Sequence, residues 1–330
     1  MSTTPTLVLR VDLDDRYLDR LRREVPEARI RVCTTPEALR AALGDADALI
    51  GGASITAEEV AAAPRLRWVQ ATIAGVEGFL IPALRERPIV LTNFSGIAAP
   101  SIAEHVLALM LAFARGLPPL LRRQDRREWG DNHADAPPTF ELAGQTLGIV
   151  GLGDIGEELA RRAHALGMHV QATDRDAGNG DAPAYIEALR PSERLPDLLA
   201  AADHVALCLP LTPATEHLIG RDELARMGPS AYLYNVGRGE IVDQEALVAA
   251  LRDGTIAGAG LDVATPEPLP ADSPLWALPN VLITGHTAGR TPLYWERGIE
   301  LLIDNVRRFL AGEELRDTVD TRAGYGYRQG

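Results

Sequence analysis

An arginine, a carboxylate and a histidine each follow a short apolar run in the second half of the chain. Arg238 stands in Val236-Gly237-Arg238-Gly239, just past the run 231–235. Glu267 stands between Pro266 and Pro268, past the run 258–262, and His286 follows Gly285, past the run 280–284. In an open parallel sheet, whatever follows the carboxyl ends of the strands lines the ligand crevice. The three runs therefore predict a cation, an acid and an imidazole at one rim. A guanidinium is permanently charged and forks onto a carboxylate. It suits a 2-oxo or 2-hydroxy acid, holding the carboxylate and polarising the carbonyl. Histidine, with an ordinary pKa near about 6.5, gives or takes a proton around neutrality. A glutamate against that imidazole orients it and favours the imidazolium that carbonyl reduction requires. Each residue also has an ordinary alternative: Arg238 closing a loop, Glu267 as a solvated loop charge, His286 as a structural histidine. His105, His133, His164, His169, His204 and His217 take the structural reading, and no H-x-x-x-H or C-x-x-C spacing suggests a metal.

A second motif lies at the same predicted rim. Gly151-Leu152-Gly153-Asp154-Ile155-Gly156 matches G-x-G-x-x-G, follows the apolar run 146–150 and opens a helical pattern. Glycines there permit a tight turn and let backbone N–H groups approach a pyrophosphate at the positive end of a helix. The next run ends at Asp174, 18 residues beyond Gly156, close to the roughly 20 expected for a ribose-binding acid. A carboxylate accepts from ribose hydroxyls and repels a 2′-phosphate, so NAD is expected over NADP. The neighbouring Arg175 softens that preference, and the ordinary alternative has Asp174 capping a turn.

Strand-like and helix-like segments must position these groups, and they alternate as in an α/β fold with parallel sheets. The first hundred residues carry strand candidates at 6–11, 29–33, 48–51, 68–71 and 89–92, with helical stretches such as 36–43 and 57–63 between them. A long apolar helix is expected from Pro100 to about Arg115, and Pro118–Pro119 are expected to stop the next segment. Residues 120–141, with Trp129, Asp131, Asn132, Pro137 and Pro138, read as an excursion or arm rather than core. A second unit follows, with strands at 146–150, 169–173, 204–209, 231–235, 258–262 and 280–284 and helices such as 155–166 and 244–253. The last helix, about 292–310, has an apolar stripe (Ile299, Leu302, Val306, Phe309) that returns the chain to the first unit. The fold class is thus α/β with two doubly wound parallel-sheet domains. A Rossmann NAD-binding domain (100–289) is inserted into a smaller flavodoxin-like substrate domain (1–99 and 290–330).

Composition narrows the classes further. The chain has 330 residues, 46% hydrophobic and 24% charged, which fits about two globular domains rather than disorder. Its net charge of −13 disfavours a nucleic acid partner. No apolar run approaches the roughly 20 residues of a membrane span, and charges interrupt the first apolar stretch, unlike a signal peptide. Cys33 and Cys208 lie in apolar runs and read as reduced thiols of a cytoplasmic protein. Lysine does not occur; all 33 basic residues are arginines. A Schiff-base lysine, a pyridoxal-phosphate site and a Walker-type phosphate lysine are therefore excluded.

Several segments together resemble the D-isomer-specific 2-hydroxyacid dehydrogenase family (NAD-dependent, phosphoglycerate dehydrogenase-like) over nearly the whole chain. They are AGVEGF (74–79), NFSGIAAPSIAEHVLALML (93–111), GLGDIG (151–156), LPLTPATEHLI (209–219), NVGRGEIVDQEAL (235–247), GAGLDV (258–263), PEPLP (266–270) and GHTAG (285–289). The resemblance implies Arg238 as substrate clamp, Glu267 as partner of His286, and His286 as general acid/base. It implies Asp262 near the nicotinamide amide, with Leu209, Pro210, Thr215, Asn235, Val236, Gly237 and Gly289 along the dinucleotide. The backbone of Ala74, Gly75 and Val76 would meet the substrate carboxylate, and a homodimer is implied, with 120–141 reaching the partner. The expected reaction moves a hydride between NAD(H) and a 2-oxo or D-2-hydroxy acid. This chain departs from the family pattern at Gly285, where proline is usual, at Ala264, where an aromatic is common, and at Glu77, where aspartate is usual. Formate dehydrogenases carry glutamine at the position of Glu267 and so resemble the chain less. With the sequence ending at Gly330, the regulatory domain of long phosphoglycerate dehydrogenases is not expected. Two other readings stay open: a dinucleotide-sensing, corepressor-like binding module, and a phosphite-type dehydrogenase.

Overall fold

Short strands without a polar face must be covered on both sides, and crossover helices supply the cover. The computed structural model describes residues 4–130, 136–177 and 182–322, with the backbone of Tyr325–Gly326. The chain divides into two compact units, Met1–Ile97 with Thr291–Gly330, and Ala98–Arg290.

The first unit opens with β1 (Thr6–Leu9), α1 (Asp15–Glu24), β2 (Arg29–Val32), α2 (Pro36–Leu43) and β3 (Ala48–Ile50). It continues with α3 (Ala57–Ala62), β4 (Trp68–Gln70), α4 (Pro82–Arg85) and β5 (Val90–Thr92). The five strands run parallel in the order β2-β1-β3-β4-β5, the flavodoxin-like arrangement. Helix starts are marked by side chains that accept orphan N–H groups: Asp14 for α1, Thr35 for α2, and a Thr56–Glu59 capping box for α3. Each such cap contributes about 1 kcal/mol.

The second unit contains α5 (Ala99–Ala114), α6 (Leu117–Asp125), β6 (Thr146–Val150), α7 (Asp154–Ala165), β7 (His169–Asp174) and β8 (Ala188–Pro191). After these come α8 (Leu195–Ala201), β9 (His204–Leu207), α9 (Arg221–Met227), β10 (Tyr232–Asn235), α10 (Gln244–Asp253), β11 (Gly258–Leu261) and β12 (Val281–Ile283). Its seven parallel strands are ordered β12-β11-β10-β9-β6-β7-β8. The strand order reverses between β6 and β9, which makes the turn after β6 the topological switch point.

The chain then re-enters the first unit as α11 (Tyr294–Ala311). Its stripe of Ile299, Leu302 and Val306 is buried in one cluster with Leu7, Leu21 and Trp68, and Phe309 lies 5.2 Å from the Trp68 ring. A two-stranded ribbon, β13 (Val319–Asp320) with β14 (Tyr325–Gly326), follows.

Three features depart from the expectations. Strand β8 is not among the expected strands: it is an edge strand beside β7, half-buried over 188–190 and exposed at Pro191, and it lacks the apolar run of an interior strand. Pro118 and Pro119 open α6 instead of stopping a segment. Gly116, at φ +62°, ends α5, and a proline in a first helical turn removes an N–H that has no partner there. Residues 120–141 are not all excursion. Their first part belongs to α6, and Phe140 packs its ring 5.6 Å from Tyr232 and 5.8 Å from His204 while donating its N–H to Ala114. Asp131, Asn132 and His133 lie outside the described residues. The short β13–β14 ribbon is also not among the expected strands, and the expected strands and helices otherwise differ by shifts of one to three residues at their ends.

Candidate active site

The glycine turn after β6 shows three different uses of a missing side chain. Gly151 sits at φ +90°, and a Cβ there would come within 2.8 Å of Leu209 Cβ. Gly156 lies on α7 where a Cβ would meet the Gly151 carbonyl at 2.4 Å, so this glycine lets the helix close onto the turn. Gly153 has open space where its Cβ would be and is the N-cap of α7. Asp154 and Ile155 begin that helix. An uncrowded approach to helix N–H groups is what a pyrophosphate needs, and the residues present fit such a group. At the end of β7, Asp174 accepts the Leu152 N–H at 2.8 Å through one oxygen and the Asp176 N–H at 2.9 Å through the other. Arg175 is ion-paired with Asp176 at 2.8 Å.

From this turn, close approaches run across the neighbouring strand ends. Leu209, beyond β9, abuts Gly151 on one side, and its carbonyl would lie 2.7 Å from a Cβ at Gly237 on the other. The Thr215 hydroxyl donates to the Pro210 carbonyl at 2.8 Å, fixing that loop. After β10, the Asn235 side chain spans the turn: Oδ1 accepts from the Gly237 N–H and Nδ2 donates to the Arg238 carbonyl. Val236 is buried beneath the turn. Arg238 is half-buried, and its guanidinium donates to the Gly237 carbonyl at 2.8 Å. Gly239 presses on the next loop, since a Cβ there would lie 2.1 Å from the Ala264 carbonyl oxygen.

That loop carries Glu267. Oε1 accepts the Ala264 N–H at 3.1 Å, and Oε2 lies 2.7 Å from His286 Nδ1. A carboxylate only accepts, so Nδ1 carries the proton facing it. His286 holds the left-handed conformation at φ +58°, next to Gly285 at φ +60°. Proline cannot adopt that φ, which accounts for glycine where the family usually has proline.

Asp262 holds this conformation in place. It is 4% exposed and its carbonyl accepts the His286 N–H, while its carboxylate accepts the Thr284 hydroxyl at 2.6 Å and the N–H groups of Thr287 (2.9 Å) and Ala288 (3.0 Å). Thr284 has spent its proton on Asp262, so the 2.9 Å contact with His105 Nε2 must be an N–H donated by the imidazole. Sequence reasoning read His105 as merely structural and did not single out Thr284. No local spacing links α5 to the end of β12. Gly289 follows, where an added Cβ would have ordinary contact with Ala98 at 3.6 Å and Ile102 at 4.0 Å.

The structure thus brings Gly151, Leu152, Asp174, Leu209, Gly237, Arg238, Glu267, His286 and Asp262 into one contiguous edge, the carboxyl ends of β12, β11, β10, β9, β6 and β7. Ala74, Gly75 and Val76 lie in the first unit, after β4.

Residues 107–288 match the family described as D-isomer specific 2-hydroxyacid dehydrogenase, NAD binding domain. A glyoxylate/hydroxypyruvate reductase B from Yersinia pestis (strain Pestoides F) is 40% identical over 279 residues, 84% of each chain. Among solved structures, a D-isomer specific 2-hydroxyacid dehydrogenase family protein from Aeromonas salmonicida subsp. salmonicida A449 superposes with TM-score 0.85 at 32% identity, covering 97% of this chain and all of that one. A D-isomer specific 2-hydroxyacid dehydrogenase from Xanthobacter autotrophicus Py2, in complex with NADPH and MES, gives TM-score 0.84 at 30% identity over 98% of this chain and all of that one. The chain belongs to the D-isomer-specific 2-hydroxyacid dehydrogenase family, and its second unit carries the family's NAD-binding fold.

Proposed function

We propose that this chain interconverts a 2-oxo acid and a D-2-hydroxy acid with NAD(H), the first unit serving as substrate domain and the second as NAD-binding domain. The observation that carries this reading is the Glu267–His286 contact of 2.7 Å, made between the loops after β11 and β12, with β11 beside the strand end that bears Arg238. Arg238 takes the substrate carboxylate as a fork and polarises the 2-oxo group. His286 donates the Nε2 proton to the carbonyl oxygen in reduction and removes it from the hydroxyl in oxidation. Glu267 keeps Nδ1 protonated and stabilises the imidazolium before donation. The dinucleotide, when bound, supplies or accepts the hydride.

Gly151, Gly153, Asp154, Ile155 and Gly156 would hold its pyrophosphate through backbone N–H groups. Asp174 would take the ribose hydroxyls, with Arg175 beside it. Leu209, Pro210, Thr215, Asn235, Val236, Gly237, Asp262 and Gly289 would line the rest. Ala74, Gly75 and Val76 would offer amides to the substrate carboxylate.

The relatives' names make glyoxylate and hydroxypyruvate the first substrates to try. The carboxylate of Asp174 supports NAD over NADP, although the Xanthobacter protein was solved with NADPH. We also infer a homodimer: Leu111, Leu117, Leu120, Leu121 and Trp129 are exposed along α5, α6 and the residues beyond, with Trp129 91% exposed. The free thiols Cys33 and Cys208 fit a cytoplasmic setting.

The test is a cofactor-oxidation screen, with NADH and NADPH in parallel, over glyoxylate, hydroxypyruvate, pyruvate, phenylpyruvate and branched 2-oxo acids. Turnover with at least one acid, faster with NADH, is expected. No turnover with any of them would sink the reading. Sedimentation velocity, expected to give twice the 35.5 kDa chain mass, tests the dimer.

A further inference from the structure

Four successive carbonyls after β4 are each held by a different donor. The Ala71 oxygen accepts from Gln70 Nε2 at 2.9 Å, and the Thr72 oxygen from the Tyr294 hydroxyl at 2.9 Å. The Ile73 oxygen accepts from the Phe94 N–H at 3.1 Å, and the Ala74 oxygen from Asn93 Nδ2 at 2.6 Å. All of these groups lie in the first unit. Across a trans peptide the C=O of one residue and the N–H of the next point in opposite directions. Binding the Ile73 and Ala74 carbonyls therefore turns the Ala74 and Gly75 N–H groups away from Asn93 and Phe94. Among the described residues, none of the N–H groups of Ala74, Gly75 and Val76 donates a hydrogen bond.

Asn93 is itself buried, and its Oδ1 is buried with no partner among the described residues. An orphan acceptor is unfavourable, so this amide is not explained by its own satisfaction. What its side chain does is donate to Ala74. The donors behind it are fixed in turn. Gln70 Oε1 accepts from the Thr92 hydroxyl and from Asn305, and Thr92 accepts from the Trp68 indole N–H, all within the buried interior. Tyr294 stays a donor because burial pushes its hydroxyl up to about 12.

We propose that Asn93 is a positioning residue for substrate binding: it aims the Gly75 amide at the substrate carboxylate by holding the Ala74 carbonyl, with Tyr294 doing the same one step earlier at Thr72. This rests on the proposed role of the 74–76 backbone. It concerns ground-state binding, so its signature is in KM rather than in kcat.

The experiment uses the full chain and the best 2-oxo acid of the screen. Asn93→Asp keeps the shape but faces the Ala74 oxygen with an acceptor, and Asn93→Ala removes the donor. Tyr294→Phe removes a single hydroxyl and covers the case in which either Asn93 variant does not fold. Steady-state kinetics, NADH affinity by fluorescence and melting temperature are read together. The expected result is a roughly tenfold rise in KM for both Asn93 variants and about two- to fivefold for Tyr294→Phe, with kcat and NADH affinity changed by less than about threefold. Folded variants with KM within about twofold of the parent overturn the inference. So does a loss of active fraction, seen as lower kcat and melting temperature at constant KM. A parent chain that reduces no 2-oxo acid overturns the functional reading itself, and this inference with it.

Discussion

One oxygen of Asp174 accepts the Leu152 N–H at 2.8 Å, which ties the acid at the end of β7 to the glycine turn after β6. The other oxygen accepts the Asp176 N–H at 2.9 Å, so the carboxylate proposed to meet the ribose is anchored through both oxygens. In Asp174→Ala the turn loses its anchor and a 2′-phosphate loses its repulsion. Binding of both cofactors is expected to weaken, while the ratio of kcat/KM for NADPH over NADH rises by roughly tenfold or more. The ratio separates the two effects, and an unchanged ratio would contradict the ribose assignment.

Arg238 should not tolerate lysine. Asn235 clasps the backbone on both sides of it, so the guanidinium starts from a fixed base and its fork is matched to a carboxylate. Arg238→Ala is expected to raise KM and lower kcat by orders of magnitude together. Arg238→Lys is expected to recover only a small part, because an ammonium offers a point charge without the bidentate geometry. NADH affinity, measured by fluorescence, should survive in both. A lysine variant with parental kcat/KM would remove the clamp role.

Replacing Glu267 by glutamine keeps an acceptor for the imidazole Nδ1–H but removes the charge. The tautomer of His286 should persist while stabilisation of its imidazolium is lost. A fall in kcat for 2-oxo acid reduction of roughly 10–100-fold is expected, with a smaller change in KM, against about 10²–10⁴ for loss of the acid/base itself in His286→Ala. Equal kcat in Glu267→Gln and the parent would show that the 2.7 Å contact is idle in catalysis.

Acid stability has a separate origin in His204. This histidine is completely buried on β9, with Nδ1 3.0 Å from the Tyr234 hydroxyl and Nε2 2.7 Å from Gln145 Oε1. Burial lowers its pKa from 6.5 to about 4. Between those values the unfolded chain binds a proton that the folded chain refuses, so stability rises with pH across the window. The contribution is complete above pH 6.5, is lost progressively on acidification and is gone below about pH 4. Its size is about 3 kcal/mol. Urea midpoints at pH 7.5 and 5 should therefore fall more in the parent than in His204→Gln. Parallel falls would mean that His204 is not the sensor.

Much of the architecture is legible along the chain because interior parallel strands are short apolar runs and their crossovers carry cap residues. The runs before Gly151, Arg238 and Glu267 are of this kind, and β12 before His286, although an edge strand, keeps the apolar run Val281–Ile283, so strand ends and rim residues can be read together. Edge strand β8 escapes that logic, since Ala188–Pro191 is half-solvated and carries no apolar signature. Helix α6 escapes it because Pro118 and Pro119 punctuate a chain equally well as the start of a helix or as its end.

The order of residue types was enough to determine two parallel-sheet units, a glycine turn opening a helix, and an arginine, an acid and an imidazole beyond strand ends, because each is a local pattern of burial and backbone freedom. Only the tertiary structure decided that His105 donates to Thr284 and Thr284 to Asp262, and that Asn93 holds the Ala74 carbonyl. Those contacts join residues whose separation along the chain follows no period. They exist because a buried donor or acceptor must find a partner in whatever the packed fold brings beside it.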